Sequence, residues 1–408
     1  MSICPAEYWI WLQCALGAGA KTDELLSYFG DPEKMYNAGS NEWRLSGLMT
    51  AKKINALKSI SPSETGGIFR ECKQKGYTII TPDSANYPER FKQLRDMPLV
   101  LYALGDASVL KDTVSIGVVG TRNASNYGIE TAQKLSYSLA LCGATIVSGG
   151  ALGIDSEAHA GAMLAKGRTA AFLGCGLSVD YLKENASLRR AITRYGAVIS
   201  EYAPFTPAGR TTFPIRNRLI SGLTLGTLVI EAGVKSGSLI TANFALEQGK
   251  DVFAVPGDIV RSSFDGANHL IKNGAKPVFS AMDILSEYEY LYGDLIDFSK
   301  ADTSLSQIPY VEYRKTKKAV VTEKLSVKEK TIEQKTVEQE IKKEKKNDLD
   351  DSYSSEAKKV YSVLNENPTH IDDILRQTSL KMSDVLSALT ELELMGDVKQ
   401  TEGKKYSI

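Results

Sequence analysis

Cysteine and histidine are scarce in these 408 residues, at five and three. Cys4, Cys14, Cys72, Cys142 and Cys175 make no CxxC pair and are odd in number. That usage fits a reduced, cytoplasmic protein rather than a disulfide scaffold. His159, His269 and His370 each fall in a predicted helix, away from other metal-type ligands, so no metal or other cofactor is expected. The chain has no HExxH, no GxSxG and no GxxxxGK(S/T), which argues against a zinc hydrolase, a serine hydrolase of that type and a P-loop nucleotidase. No stretch reaches the roughly 18 apolar residues of a membrane span. The apolar stretch Tyr8 to Ala20 has its first basic residue, Lys21, after it rather than before it and is broken by Gln13, so it reads as a buried helix and not a signal peptide. Charge of one sign is lacking too: 49 Lys and Arg balance 49 Asp and Glu. A nucleic-acid or membrane partner therefore has to be met by a local patch, not by bulk charge.

What is present falls into four regions. Residues 1–60 hold short amphipathic patterns separated by glycines (Gly17, Gly19, Gly30, Gly39, Gly47), as in a small helical domain of the SAM or helix-hairpin-helix kind. Residues 61–290 carry the runs VSIGVVG, ATIVSGG, TAAFLGCG, AVISEY, GTLVIEAG and DVFAVPG. Each is a near-continuous apolar run ending in a small residue or a turn, as expected of parallel strands buried on both faces. Amphipathic segments such as IETAQKLSYSLALCG alternate with them. The fold class predicted is α/β: a Rossmann-like, doubly wound, mostly parallel sheet. Residues 291–352 read as a charged, flexible linker. From Val311 to Asp350 there are twelve Lys or Arg against nine Asp or Glu and no Gly, Phe or Trp, too little apolar surface to offset chain entropy. Residues 353–408 read as three helices and a β-hairpin, a winged helix whose acidic third helix (Asp384, Glu391, Glu393) suits a protein contact at least as well as duplex DNA.

In an open α/β sheet ligands sit at the carboxyl ends of the strands. The first such end, GVVGTRNAS, puts Arg122 where a dinucleotide fingerprint needs a glycine. The second, SGGALGID, offers Ser148, Gly149 and Gly150, whose bare N–H groups can meet an anion. Later ends bring Lys183 in DYLKEN and Lys235, Ser236 and Ser238 in GVKSGS. FPIRNRLISG sets Arg216, Asn217 and Arg218 among aliphatic neighbours just before the fifth strand. On a helix residues 216 and 218 diverge by about 200°, so one guanidinium can face a ligand while the other pairs inward, with Glu231 or Asp155 as possible partners. Phosphate-type loops without an evident nucleophile or base point to a site that holds rather than cuts. A nucleotide-processing enzyme resembling lysine decarboxylase-like phosphoribohydrolases stays open as a second reading, with Glu231 as its carboxylate. Its PGGxGT loop is missing, because SGGALGID lacks the Pro and the Thr.

VGTRNAS, SGGALGIDSEAHAGA, FPIRNRLISG, VIEAGVKSGSLITANFALEQGK and VFAVPGDI, in this order, resemble the DNA-processing protein A family (DprA, also called Smf). The lead-in GYTIITPDSANYPERFKQLRDMPLVLYALGD matches that family as well. The resemblance implies a non-catalytic, dimeric single-stranded DNA-binding protein that protects incoming DNA and helps load a RecA-type recombinase in natural transformation. It also implies that Arg122, Ser148, Gly149, Gly150, Lys183, Arg216, Asn217 and Arg218, with Lys235, Ser236 and Ser238, form the DNA pocket. Tyr127, Tyr181 and Phe213 stand near those loops as candidates for base stacking.

Overall fold

The computed structural model describes residues 3–301, 305–308, 310–311, 354–365, 369–378, 380, 382–395, 398–401 and 405–407. The chain divides into two compact units, Met1–Thr322 and Glu323–Ile408.

The first unit opens with five helices: α1 (Pro5–Leu16), α2 (Asp23–Phe29), α3 (Pro32–Leu45), α4 (Ala51–Lys58) and α5 (Gly66–Lys75). Their starts are encoded locally. The Asp31 and Thr50 side chains accept the orphan N–H groups of Lys34 and Lys53, and Pro32 occupies a first-turn position where no N–H is missed. The helices bury Trp9, Trp11, Met35, Trp43 and Leu57 in a core that also takes Leu99, Val100 and Tyr102. Residues 1–60 therefore share their core with the edge of the sheet instead of standing apart.

The sheet elements follow: β1 (Thr78–Ile80), α6 (Glu89–Lys92), β2 (Leu101–Gly105), β3 (Ser115–Val119), α7 (Asn126–Leu141), β4 (Thr145–Ser148), α8 (Ile154–Leu164), β5 (Thr169–Leu173), α9 (Ala186–Ile192), β6 (Gly196–Ser200), α10 (Thr212–Leu223), β7 (Gly226–Val229), α11 (Ser238–Glu247), β8 (Asp251–Ala254), α12 (Asp265–Lys272), β9 (Lys276–Pro277), α13 (Met282–Leu285) and α14 (Glu289–Tyr292). Nine strands form one sheet in the order β1-β2-β6-β5-β4-β3-β7-β8-β9. β3 to β9 run parallel, and β1 and β2 add an antiparallel edge. Apolar residues alternate between two cores: Ile116 and Val118 face α7 and α8, while Val119, Val147 and Phe172 face α10 and α11. All six apolar runs read from the sequence are strands, and the expected α/β class holds. The order of strands reverses between β3 and β7. Ligand crevices of doubly wound sheets open at such switch points, outside the strands' carboxyl ends.

Part of the segment 291–352, expected as a flexible linker, is packed. Ile296 and Ala301 are buried in the core under α7 and α8, Ile308 is buried as well, and Asp297 N–H donates to the Cys142 carbonyl at 3.0 Å. The Gln133 amide pairs with Val311 in both directions, at 2.8 and 2.9 Å. Ile296 and Ala301 suffice because each meets a preformed helical surface. The remainder of the expected linker, 312–352, lies outside the described residues. Among those described, no helix is long and apolar enough to cross a membrane.

The second unit comprises α15 (Ser355–Val363), β10 (Thr369–His370), α16 (Ile371–Thr378), α17 (Met382–Met395), β11 (Lys399–Thr401) and β12 (Lys405–Ser407), the element order of a winged helix. Val360, Ile374, Val385, Leu389 and Leu392 form its core. Glu391 on α17 accepts the Ser354 N–H and hydroxyl at 2.9 and 2.5 Å. One of the acidic side chains of the third helix is thus occupied in holding the start of α15.

Candidate nucleic-acid interface

A cleft of about 720 Å³ opens at the switch point. The end of β3 supplies Thr121 and Arg122, the β4–α8 turn Ala151 and Asp155, the β5–α9 connection Tyr181, the start of α10 Phe213, Arg216 and Asn217, and the β7–α11 loop Ser236, Gly237 and Ser238. Arg210, from the loop before α10, completes the rim. Two glycines make this convergence possible. A Cβ on Gly153, which sits at φ +76°, would lie 2.5 Å from the carbonyl oxygens of Thr121 and Arg122. A Cβ on Gly149 would lie 2.7 Å from both Arg216 Nη2 and Asp155 Oδ2.

The cleft has an inner and an outer layer of charge. Arg216 is the inner one, only 5% exposed. Its Nη1 donates to the carbonyls of Gly149, at 2.7 Å, and Phe172, and its Nε donates to Asn217 Oδ1 at 3.0 Å. Burial pulls its pKa down with Asp155 opposing, and burial pushes Asp155 up with Arg216 opposing. Asp155 also accepts the Ala151 N–H at 3.3 Å. Arg216 is thus a fixed positive charge under the floor, held by two carbonyls. Arg122 and Arg210 are exposed and form the outer layer. The Arg122 guanidinium lies 5.3 Å from the Phe213 ring centre, and the Tyr181 and Phe213 ring centroids are 5.3 Å apart, tilted by 40°. Phe213, which a core position would hide, is half-buried and faces the cleft.

The structure brings together Arg122, Arg216, Asn217, Ser236 and Ser238 of the residues singled out from the sequence. Gly149 and Gly150 back the cleft through their carbonyls, which accept from Arg216 and Asn185. Ser148 is fully buried, and its hydroxyl donates to the Val118 carbonyl at 2.6 Å. Lys183 and Lys235 are exposed outside the lining, with Lys183 3.6 Å from Asp180. Tyr127 also lies outside it, donating to the Pro256 carbonyl.

Arg218 is a correction. It is 1% exposed, with Nη2 2.8 Å from Glu201 Oε1 and Nε 3.1 Å from Asp96 Oδ2. Glu201 also accepts the Gly19 N–H at 3.2 Å. Arg218 therefore ties the N-terminal helices to α10 and offers no surface to a ligand. One guanidinium does face inward, as the 200° divergence requires, but its partners come from β6 and the lead-in segment, not from Glu231 or Asp155. Glu231 is 1% exposed and accepts the Ser125 N–H and hydroxyl at 3.0 and 2.8 Å, anchoring the start of α7. It is not among the residues lining the cleft. The sequence reading missed Arg210, because a lone arginine in a Pro- and Gly-containing loop carries no motif.

His159 lies behind the cleft, fully buried, with Nδ1 2.7 Å from the Thr169 hydroxyl. Burial, and then the Arg216 charge, lower its pKa to about 3. The unfolded chain takes up this proton near pH 6.5 and the folded chain near 3. Stability from the neutral ring is therefore complete above about pH 6.5 and lost as pH falls toward about 3. The expected loss at about pH 5 is about 2 kcal/mol. Urea unfolding at about pH 7 and about pH 5 checks it, since a His159→Asn variant lacks this component of the pH dependence.

The switch-point cleft of this doubly wound sheet thus gathers three guanidiniums, hydroxyls and two aromatic rings. Comparison with known proteins gives the family. The model of the DNA recombination-mediator protein A family matches residues 78–289, and that of the DprA winged helix domain matches residues 344–404. Protein Smf of a Synechocystis species is 33% identical over 364 residues, covering 88% of this chain and 86% of that protein. DNA processing protein DprA of Bacillus subtilis is 42% identical over 215 residues, covering 53% and 72%. The X-ray structure of DNA processing protein A from Streptococcus pneumoniae superposes with a TM-score of 0.61 at 33% identity, covering 70% of this chain and 99% of that one. The chain belongs to the DprA/Smf family.

Proposed function

We propose that this protein holds single-stranded DNA in the switch-point cleft without cutting it, protects incoming strands in the cytoplasm and helps load a RecA-type recombinase during natural transformation. The observation that carries the reading is the pairing of exposed guanidiniums, Arg122 and Arg210, with the Tyr181–Phe213 ring pair in one open cleft. Guanidiniums and the Gly237 turn suit phosphates, which carry no sequence information, and the rings suit unpaired bases of any kind. The Asp155 carboxylate in the cleft is already committed to Arg216 and the Ala151 N–H. The name of the matching family, a recombination mediator, supports the recombinase role. A homodimer belongs to the same reading, supported by the strongly exposed apolar pair Ile259 and Val260 in the loop after β8.

Gel shifts with a short oligothymidylate and a duplex of equal length test this. The full chain and a chain ending after Val311, which keeps the packed segment under α7, are expected to bind the single strand equally and in preference to duplex. Single-strand binding that vanishes on removal of the C-terminal unit would move the site out of the cleft.

A further inference from the structure

We infer that the strand leaving the cleft continues along an exposed basic stripe on α9 and the turns flanking it. This rests on the reading that the cleft holds single-stranded DNA. Lys183 in the turn before α9, Arg190 on α9 and Arg194 in the turn after it are all exposed. The upper end adjoins the cleft, since Tyr181, which lines it, lies two residues before Lys183. At the lower end the Thr169 N–H donates to the Tyr195 carbonyl at 3.2 Å. That bond lays the turn bearing exposed Lys166 beside the turn bearing Arg194.

The charges facing this path are mostly free. Lys183 is shared with Asp180 at 3.6 Å, and Arg189, on the flank, donates to the Leu182 carbonyl at 3.0 Å. Arg190, Arg194 and Lys166 have no carboxylate partner among the described residues, while Glu184 stands as an exposed acid beside the stripe. Arg168, the next base along, is neutralised by Asp106 and Asp112, so the stripe ends there. Unpaired bases in a row, continuous with a phosphate cleft, match the spaced charges of a polynucleotide backbone and add contacts without adding sequence preference.

The test uses the full chain with an oligothymidylate of about six nucleotides, which fills the cleft, and one of about twenty, which can reach the stripe. The double variant Arg190→Glu/Arg194→Glu is expected to bind the short strand as the parent does and to lose at least about tenfold for the long one. Its log–log salt slope for the long strand is expected to be shallower by about 1.4, which is two phosphates at about 0.7 each. Glu184→Lys is expected to tighten long-strand binding severalfold, a gain that impaired folding cannot mimic. Unchanged long-strand affinity and slope in both variants overturns the inference and leaves an acidic protein as the stripe's partner. If the parent does not bind the short strand, the cleft reading itself fails, whatever the stripe variants do.

Discussion

Arg218→Ala is expected to destabilise the first unit by about 3–5 kcal/mol, the cost of removing one partner from a buried ion pair. Glu201, 2% exposed, loses the cation that balances it, and Asp96 and the Gly19 N–H lose the arrangement that joins the N-terminal helices to α10. Urea unfolding measures the effect. A double change that removes both charges, Arg218→Met with Glu201→Leu, is expected to recover much of the loss, because apolar replacements of similar size are often tolerated where a lone buried charge is not. Single-strand affinity, measured well inside the folded range, is expected to stay at the parent's level, since the side chain does not reach the cleft. A variant that keeps its stability and loses DNA would mean that Arg218 contacts the ligand after all.

The second large effect is on binding. Arg122→Ala together with Arg210→Ala removes the exposed guanidiniums and leaves Arg216 and the fold in place. Each charge-assisted contact contributes about 1.5–3 kcal/mol, so the pair is expected to weaken single-strand binding by about a hundredfold or more. The cleft's remaining grip comes from the ring pair and the buried Arg216 charge. Fluorescence anisotropy of a labelled short strand checks this, and thermal unfolding of the same variant is expected to match the parent. Arg216→Ala is a poorer probe, because Gly149 and Phe172 lose the donor that their carbonyls share and the floor itself is disturbed.

Much of this was legible in the sequence because it is local. Buried parallel strands announce themselves as apolar runs, and strand ends of such a sheet gather whatever the following residues carry, so Arg122, Arg216, Asn217, Ser236 and Ser238 could be placed together before any coordinates. The short β1 and β9 have no comparable run. What stayed hidden depends on distant partners. Arg218 and Arg216 look alike in FPIRNR; only the arrival of Glu201 from β6, Asp96 from the lead-in and the Gly19 turn decides that one is an internal tie. Ser148 likewise has the right chemistry for an anion but spends its hydroxyl on Val118. The segment after residue 291 reads as linker because its apolar residues are too sparse to signal a core, yet Ile296 and Ala301 land on one. Arg210 gave no signal beyond its charge.

The central claim is that the switch-point cleft grips the phosphates of an unpaired strand, and the salt dependence of short-strand binding tests it most directly. With the full chain, the logarithm of the association constant is expected to fall linearly with the logarithm of salt concentration, by about 0.7 for each phosphate contacted. Contacts from Arg122 and Arg210 make that slope at least about −1.4. Affinity that stays flat between about 50 and 200 mM salt would contradict the account.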